Sequence, residues 1–518
     1  MTSPDLETLI RTARGTHDPK TLSAVVVGLR AAMLAQPDHL PAFQGLSEAL
    51  RRLGRVAEAE AVLTAAIERH PVDARLRLIH ARVLADWDRL DDAAEAAEAA
   101  IAMHAGDPEA LTLLASIRLE QGRQPDAVAA LERAVALRPY TPALTMLGRL
   151  KRLSGDLDGA LSALEQAVAN AGRHDGRAQA DARVQRAIAY LCAGRIADGF
   201  REYDWRWKTG ALSNLNPGLP PWTGEPLEGR TLLIRAEQGL SECLQFFRLA
   251  GLIDGGRVVF EAPPELVPIL RASHLVSDVV AQGEPLPSAD CWAPLLSVPR
   301  ILKIDADSIP DEVPYLRSDP SLLAPWRERL GPGPKIGVAW HGGEPLFEGR
   351  TRRIPLSAFA PLARVEGVSL VSLQKGAGRE EADQVPFPVY DMTDDMDEGA
   401  GAFLDTAAIM QNCALIVTAD TAIAHLAGAL ARPCWTVLPE GGDWRFGWHA
   451  SDSPWYPTME CLRRPPGGDW RDVFDHIARR VAAIRAGQTS AFDDMDGPRG
   501  EPGDTEPASS GADNDKLT

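Results

Sequence analysis

Cysteine is scarce in this chain. Its six residues (Cys192, Cys243, Cys291, Cys413, Cys434 and Cys461) are scattered, and no two form a Cys-x-x-Cys pair. They read as reduced thiols, and without a His/Cys cluster neither a disulfide frame nor a structural zinc is expected. Long apolar runs are missing too. No stretch approaches the roughly 20 residues that cross a bilayer, so no membrane span is expected. The opening residues, Met1-Thr2-Ser3-Pro4-Asp5-Leu6-Glu7, lack the basic start and apolar core of a secretory signal. A cytoplasmic location is the resulting expectation. Positive charge is in deficit, with 54 Lys and Arg against 72 Asp and Glu and a net charge of -18. Phosphate backbones are gripped by clustered cations, so no nucleic-acid partner is expected. Neither a Gly-x-x-x-x-Gly-Lys phosphate loop nor a Gly-x-Ser-x-Gly elbow occurs, which disfavours an ATPase or a hydrolase.

What is present is a soluble, globular composition with 45% hydrophobic and 24% charged residues, long enough for three or so domains. Residues 1–208 are rich in Ala, Leu, Glu and Arg, and they repeat. Pro37, Pro71 and Pro139 fall on a grid with a step of about 34, with Ala105 in the missing slot. Ala59, Ala93 and Ala127 keep that step, as do Ala66, Ala100 and Ala134; Ala160 and Ala167 follow one residue early. Gly54, Gly122, Gly155 and Gly194 mark the turns between paired helices, and Trp87-Asp88 replaces that glycine in one unit. Small residues at fixed places let helices approach closely, and each proline ends a second helix. The array resembles tetratricopeptide repeats. An aromatic helix over residues 198–208, with Trp205 and Trp207, is expected to cap it and dock it on the next domain rather than to stack on nucleic acid.

After a linker at 209–229 the pattern becomes short β runs between helical segments. Strands are expected at 231–235, 257–261, 276–280 and 290–293. After a Pro-rich connector, more follow at 335–340, 368–373, 414–418 and 433–439. Two parallel, doubly wound halves result, at 230–315 and 316–486, with a cleft between the carboxyl ends of their strands. From 487 onward an acidic, Gly- and Pro-rich tail is expected to be disordered.

The chemistry-bearing residues gather at those strand ends. Glu242, near a helix start, is a candidate general base or simply a dipole-complementing carboxylate. Arg350, Arg352 and Arg353 follow a glycine-rich loop and suit a diphosphate or form a solvated basic turn. Lys375 ends the next strand. Asp420, Thr421 and Ala422 open a helix whose N–H groups can receive phosphate, although Asp-Thr is also ordinary capping. His425, one turn on, is a further donor or a core histidine. Asp305-Ala306-Asp307 lies in a polar connector and not after a strand, so no metal is expected.

Together with Pro221-Trp222-Thr223-Gly224-Glu225-Pro226-Leu227, residues 238–246, Ser372-Leu373-Gln374-Lys375-Gly376, residues 419–428, Asp443-Trp444-Arg445 and residues 452–457, these features resemble a bacterial family. In it, tetratricopeptide repeats precede a heptosyltransferase-like glycosyltransferase domain, a layout similar to the O-linked N-acetylglucosamine transferases. The resemblance covers nearly all of the chain except the tail. It implies an α-solenoid followed by an α/β GT-B module of two Rossmann-like domains. It also implies metal-independent, inverting transfer from a nucleotide-diphosphate sugar, which is a substrate and not a bound cofactor. Asp420, Thr421 and His425 match its donor-binding motif, and Arg352 or Arg353 its cationic position. Glu242 stands in Ser241-Glu242-Cys243 where the family has Gly-Asp-Thr, one methylene longer than the aspartate. The implied function is sugar transfer to an acceptor hydroxyl on a protein recruited by the repeats; the alternatives are a lipid-linked or polysaccharide acceptor, or a non-catalytic repeat scaffold.

Overall fold

A computed structural model describes residues 6–16, 18–36, 38–172, 176–210, 215–342, 353–392, 394–397, 402–441, 443–448 and 451–487. Arg350, Arg352 and the acidic tail from 488 lie outside these residues. The N-terminal part is a solenoid of helix pairs. Its helices are α1 (Leu6–Gly15), α2 (Pro19–Ala35), α3 (Leu40–Arg52), α4 (Val56–Arg69), α5 (Ala74–Asp86), α6 (Leu90–Met103), α7 (Pro108–Glu120), α8 (Gln124–Leu137), α9 (Thr141–Leu153), α10 (Leu157–Asn170), α11 (Gly176–Cys192) and α12 (Ile196–Tyr203). Asp73 and Asp107 start α5 and α7 by accepting from the N–H groups of Leu76 (2.8 Å) and Glu109 (2.9 Å).

The alanine columns are packing columns. Ala59, Ala93, Ala127, Ala160, Ala66, Ala134 and Ala167 are fully buried. A larger side chain there would wedge the helices apart. The turn glycines have left-handed backbones, as at Gly54 (φ 72°) and Gly155 (φ 88°). Asp88 takes the same conformation (φ 60°) where the sequence lacks the glycine. Aspartate tolerates this region better than most residues, so the repeat keeps its turn.

The C-terminal part is α/β and contains two all-parallel sheets. The first has strands β1 (Thr231–Arg235), β2 (Arg257–Ala262), β3 (Asp278–Ala281) and β4 (Cys291–Pro294), in the order β3-β2-β1-β4. Helices α13 (Leu240–Phe246), α14 (Val267–Ala272) and α15 (Val298–Ile301) accompany it. Next comes α16 (Pro320–Leu330), inside the segment expected to be a connector. Asp319 caps α16, and Pro320 sits in its first turn, where a missing N–H is harmless. The second sheet runs β6-β5-β7-β8-β9, from β5 (Lys335–Ala339), β6 (Ser369–Ser372), β7 (Leu415–Ala419), β8 (Cys434–Leu438) and β9 (Met459–Arg463). Its helices include α17 (Ala360–Ala363), α18 (Leu404–Gln411), α19 (Ala422–Ala429) and α20 (Trp470–Arg485). The sequence reading did not anticipate β9, α18 or α20.

One apolar core runs through the facing sides of both sheets and takes in Leu191, Ile196 and Phe200 of the solenoid. Phe200 meets Trp444 edge-on at 5.6 Å and Phe246 at 6.0 Å; Phe246 in turn meets Trp455 at 5.4 Å. These rings belong to α12, α13 and two loops of the second sheet, and none is more than 5% exposed. The solenoid also touches the loop after β8. The carbonyl oxygen of Leu153 lies 2.0 Å from where a Cβ on Gly441 would stand, so only glycine fits. Removing the ring at the centre of the aromatic junction, Phe200→Ala, is expected to cost about 3–5 kcal/mol. Its signature is earlier proteolytic release of the solenoid from the α/β part. Unchanged thermal and proteolytic stability would show that the junction does not hold the parts together.

Candidate functional site

In an open parallel sheet the crevice for a ligand forms where successive strands depart to opposite sides. In the second sheet that place is between β5 and β7, and in the first between β1 and β4. Residues singled out from the sequence stand at both. After β5 the chain turns at Gly342, and a Cβ there would lie 3.3 Å from the Asp420 carbonyl oxygen and 3.5 Å from Thr421 Cγ2. This turn therefore rests on the tip of α19. After β1, Glu237, Gln238 and Gly239 lead into α13, which packs directly on α19. The carboxyl-end loops of the two sheets thus meet.

Each expected residue that lies among the described residues has a definite place. Thr421 caps α19, its hydroxyl accepting from the Ile423 N–H at 3.1 Å, and it is 8% exposed. Asp420 beside it is 7% exposed, and Ala422 is half-buried. His425 is enclosed: its Nδ1 pairs with the Tyr456 hydroxyl at 3.1 Å, and its ring stacks on Phe446 at 5.3 Å. It lies in the core one turn below the helix tip rather than in an open ring of donors. Lys375 is exposed, and its Nζ donates to the Met396 carbonyl at 2.7 Å. Arg353 is half exposed and pairs with Glu381 at 2.7 Å. Asp305 accepts from the Ser308 hydroxyl (2.7 Å) and N–H (3.0 Å), closing its own turn.

Glu242 reaches from the first half to the second. Its Oε1 accepts from Arg445 Nη2 at 2.6 Å. Arg445 Nη1 also donates to both Asp443 oxygens, at 2.9 and 2.8 Å. Asp443 further receives the Arg445 N–H at 3.0 Å, which forms the short turn at Trp444–Phe446 and fixes both partners. Burial alone would pull the Arg445 guanidinium down. The carboxylates of Asp443 and Glu242, with Tyr203 and Asp420 nearby, instead raise it above the arginine range. Tyr203, from the end of α12, exchanges a hydrogen bond with Gln238 (3.1 Å). Solenoid, first sheet and second sheet all contribute to this cluster. Arg445 and Tyr203 were not picked out as site residues from the sequence, because a contact between positions 203 residues apart leaves no local signature.

A second ion pair docks the solenoid beside it. Arg206 donates to Glu237 and, at 3.0 Å, to the Ser297 hydroxyl, with side chains 4% and 0% exposed in the Arg206–Glu237 pair. Glu237 also accepts from the Leu296 N–H at 2.9 Å, which ties the β1 and β4 loops together. The cap helix therefore docks through a buried arginine, in line with the docking role expected of it.

Residues 45–108 and 80–142 match the tetratricopeptide repeat family. The N-terminal region is a tetratricopeptide-repeat solenoid. Protein FlbA of Caulobacter vibrioides is 26% identical over 364 residues, which is 64% of this chain and 60% of that protein. The chain thus spans less than two thirds of that relative's length. Among solved structures, a thermophilic TPR protein of Thermus thermophilus is 19% identical, covering 36% of this chain and 98% of its own, with a TM-score of 0.31. The type IV pilus biogenesis factor PilW is 18% identical, covering 41% and 93%, with a TM-score of 0.33. Among the described residues no helix is long and apolar enough to cross a membrane.

The buried docking pair makes a pH-dependent prediction. Burial raises the Glu237 carboxyl above its ordinary 4.5, against the pull of Arg206 and the Leu296 N–H. A raised folded value means the folded state holds the proton more firmly, so stability falls as pH rises through that value. Arg206→Met removes the compensating charge and is expected to cost about 3–5 kcal/mol near neutrality. The deficit in melting temperature should widen as pH climbs above 4.5 and narrow below it. A deficit independent of pH would show that the loss is packing alone.

Proposed function

We propose that this chain is a nucleotide-sugar-dependent glycosyltransferase of GT-B architecture, and that its repeats present a protein segment as the acceptor. The observation that carries the reading is the meeting of the two sheets' carboxyl-end loops, with α13 packed on α19. Glu242 stands on α13, which follows β1 at the first sheet's switch point and packs on α19 at the second, and its partner Arg445 also feels the Asp420 carboxylate that precedes α19. This is the disposition needed to bring an acceptor hydroxyl and a donor diphosphate together.

In this reading the donor diphosphate rests against the amino end of α19, where the helix dipole favours negative charge. Glu242 takes the proton of an acceptor hydroxyl. The freed oxygen forms a bond to the anomeric carbon as the bond from that carbon to the diphosphate breaks. The bonding electron pair leaves on the diphosphate, and the configuration inverts. Charge developing on the leaving group is stabilised by the helix end and by nearby cations. Arg352 remains a candidate for that role, while Arg353 and Lys375 would have to exchange the partners they now hold.

The acceptor side is read from the solenoid. A groove of about 470 Å³ between α3, α5 and α7 is lined by Arg52, Arg75 and Arg82 on one hand and Glu48, Asp107 and Glu109 on the other. Mixed charge in a groove between helices suits an extended polar peptide better than a lipid chain.

The test is incubation of purified protein with labelled nucleotide sugars and cell lysate. Label should enter protein, and Glu242→Gln should slow its entry by about 10²–10⁴-fold, the usual worth of a general base. Equal labelling by wild type and variant would remove Glu242 from the chemistry. No labelling with any sugar nucleotide would leave a repeat scaffold as the better description.

A further inference from the structure

We propose that Arg445 is a shared cation for which Glu242 and the donor diphosphate compete, so that the base is released only once the donor is seated. The inference rests on the glycosyltransferase reading and adds an order to it: donor first, proton transfer second.

Positive charge is outnumbered at the cluster. Arg445 is one cation, and the Glu242, Asp443 and Asp420 carboxylates are all near enough to act on it. Its residue surface is 9% exposed, and its Nε finds no hydrogen-bond acceptor among the described residues. The guanidinium is therefore held by charge while its hydrogen-bonding capacity is incompletely used. Such a group gains from an additional anionic acceptor, because a buried donor without a partner carries a desolvation cost.

The two arms of Arg445 are not equivalent. The Asp443 arm is local: the carboxylate is two residues away and is fixed by the Arg445 N–H at 3.0 Å. The Glu242 arm crosses from one sheet's loops to the other's through a single bond at 2.6 Å. When an anion arrives at the α19 tip, the second arm is the one that can be given up without unmaking the turn.

While that bond is made, one carboxylate oxygen of Glu242 is occupied by a cation and is a poor proton acceptor for a hydroxyl. A diphosphate offers the guanidinium a stronger, bidentate partner. Exchange of partners does three things at once: it sets positive charge against the donor, frees Glu242 and gives the guanidinium a further acceptor. Arg445 is then a positioning residue for the base and a binding residue for the donor.

Competition is reciprocal: if the donor weakens the Glu242–Arg445 bond, then removing the Glu242 carboxylate strengthens donor binding by the corresponding factor. The experiment is calorimetric titration of UDP, GDP, CDP, ADP and inorganic pyrophosphate into the full chain, as wild type, Glu242→Gln, Glu242→Ala and Arg445→Gln. Circular dichroism and melting temperature check each fold.

Both Glu242 variants should bind the preferred diphosphate roughly three- to tenfold more tightly than wild type, the scale of one partly buried ion pair. Arg445→Gln should bind it more weakly. A base that did not compete for the arginine would lose transfer without gaining affinity, so the opposite movement of affinity and rate is the signature. Equal or weaker binding by the Glu242 variants, with wild type binding, overturns the inference and leaves the glycosyltransferase reading standing. Absence of binding by wild type and by every variant overturns both. Should Arg445→Gln fail to fold, the two Glu242 variants decide the matter alone.

Discussion

The arrangement depends on one junction, where Phe200 of the solenoid, Phe246 of the first sheet and Trp444 and Trp455 of the second interlock edge to face. Aromatic rings bring large apolar area and a preferred geometry to the same place, so they fix both that the parts adhere and at what angle. The consequence is chemical as well as mechanical. Trp444 stands between Asp443 and Arg445, so the contact that seats the solenoid also seats the guanidinium. Buried Arg206 and Glu237 add a second ion pair just ahead of α13. Here the polar network rides on an apolar one, and neither could be moved alone.

The two sheets are joined more closely than a pair of lobes around a wide cleft. A continuous core passes between them, and Arg248 of the first half donates to the Trp455 carbonyl at 2.7 Å and to the Pro310 carbonyl at 2.8 Å. Its guanidinium lies over the rings of Tyr315 and Tyr456, at 4.2 and 4.5 Å. Gly428 permits this packing, since a Cβ there would stand 2.3 Å from a Tyr456 ring carbon. His425 is drawn into the same stack through Tyr456. This explains why it is a core residue although it follows a helix tip by only one turn.

Periodic features were legible in the sequence because they repeat. The alanine columns fall at the buried helix contacts, and Trp87-Asp88 marks the turn where an aspartate adopts a glycine's backbone. Strands β1, β2, β5, β7 and β8 were legible as apolar runs bounded by polar turns. Strand β9 was not: its Met-Glu-Cys-Leu-Arg alternates, as suits an edge, and no apolar run announces it. Helix α16 was hidden by its prolines, although Asp319 before Pro320 is a start signal. The candidate residues Glu242 and Thr421 could be placed after strand ends from the sequence, where the structure also has them. Which way a side chain faces was not legible, and neither was any pairing between distant segments. Hence Lys375 and Arg353 could be placed near a strand end but not matched with Met396 and Glu381.

Gly441 carries a consequence of its own. With the Leu153 oxygen pressed against its α-carbon, the separation between the last repeats and the β8 loop is governed by a single hydrogen atom. Gly155 meets the Glu440 side chain across the same seam, and a side chain can rotate to absorb small errors. The Gly441 contact is backbone on backbone and cannot. It acts as the zero mark from which the whole array is measured, and even a methyl group added there would tilt the repeats away from the α/β part.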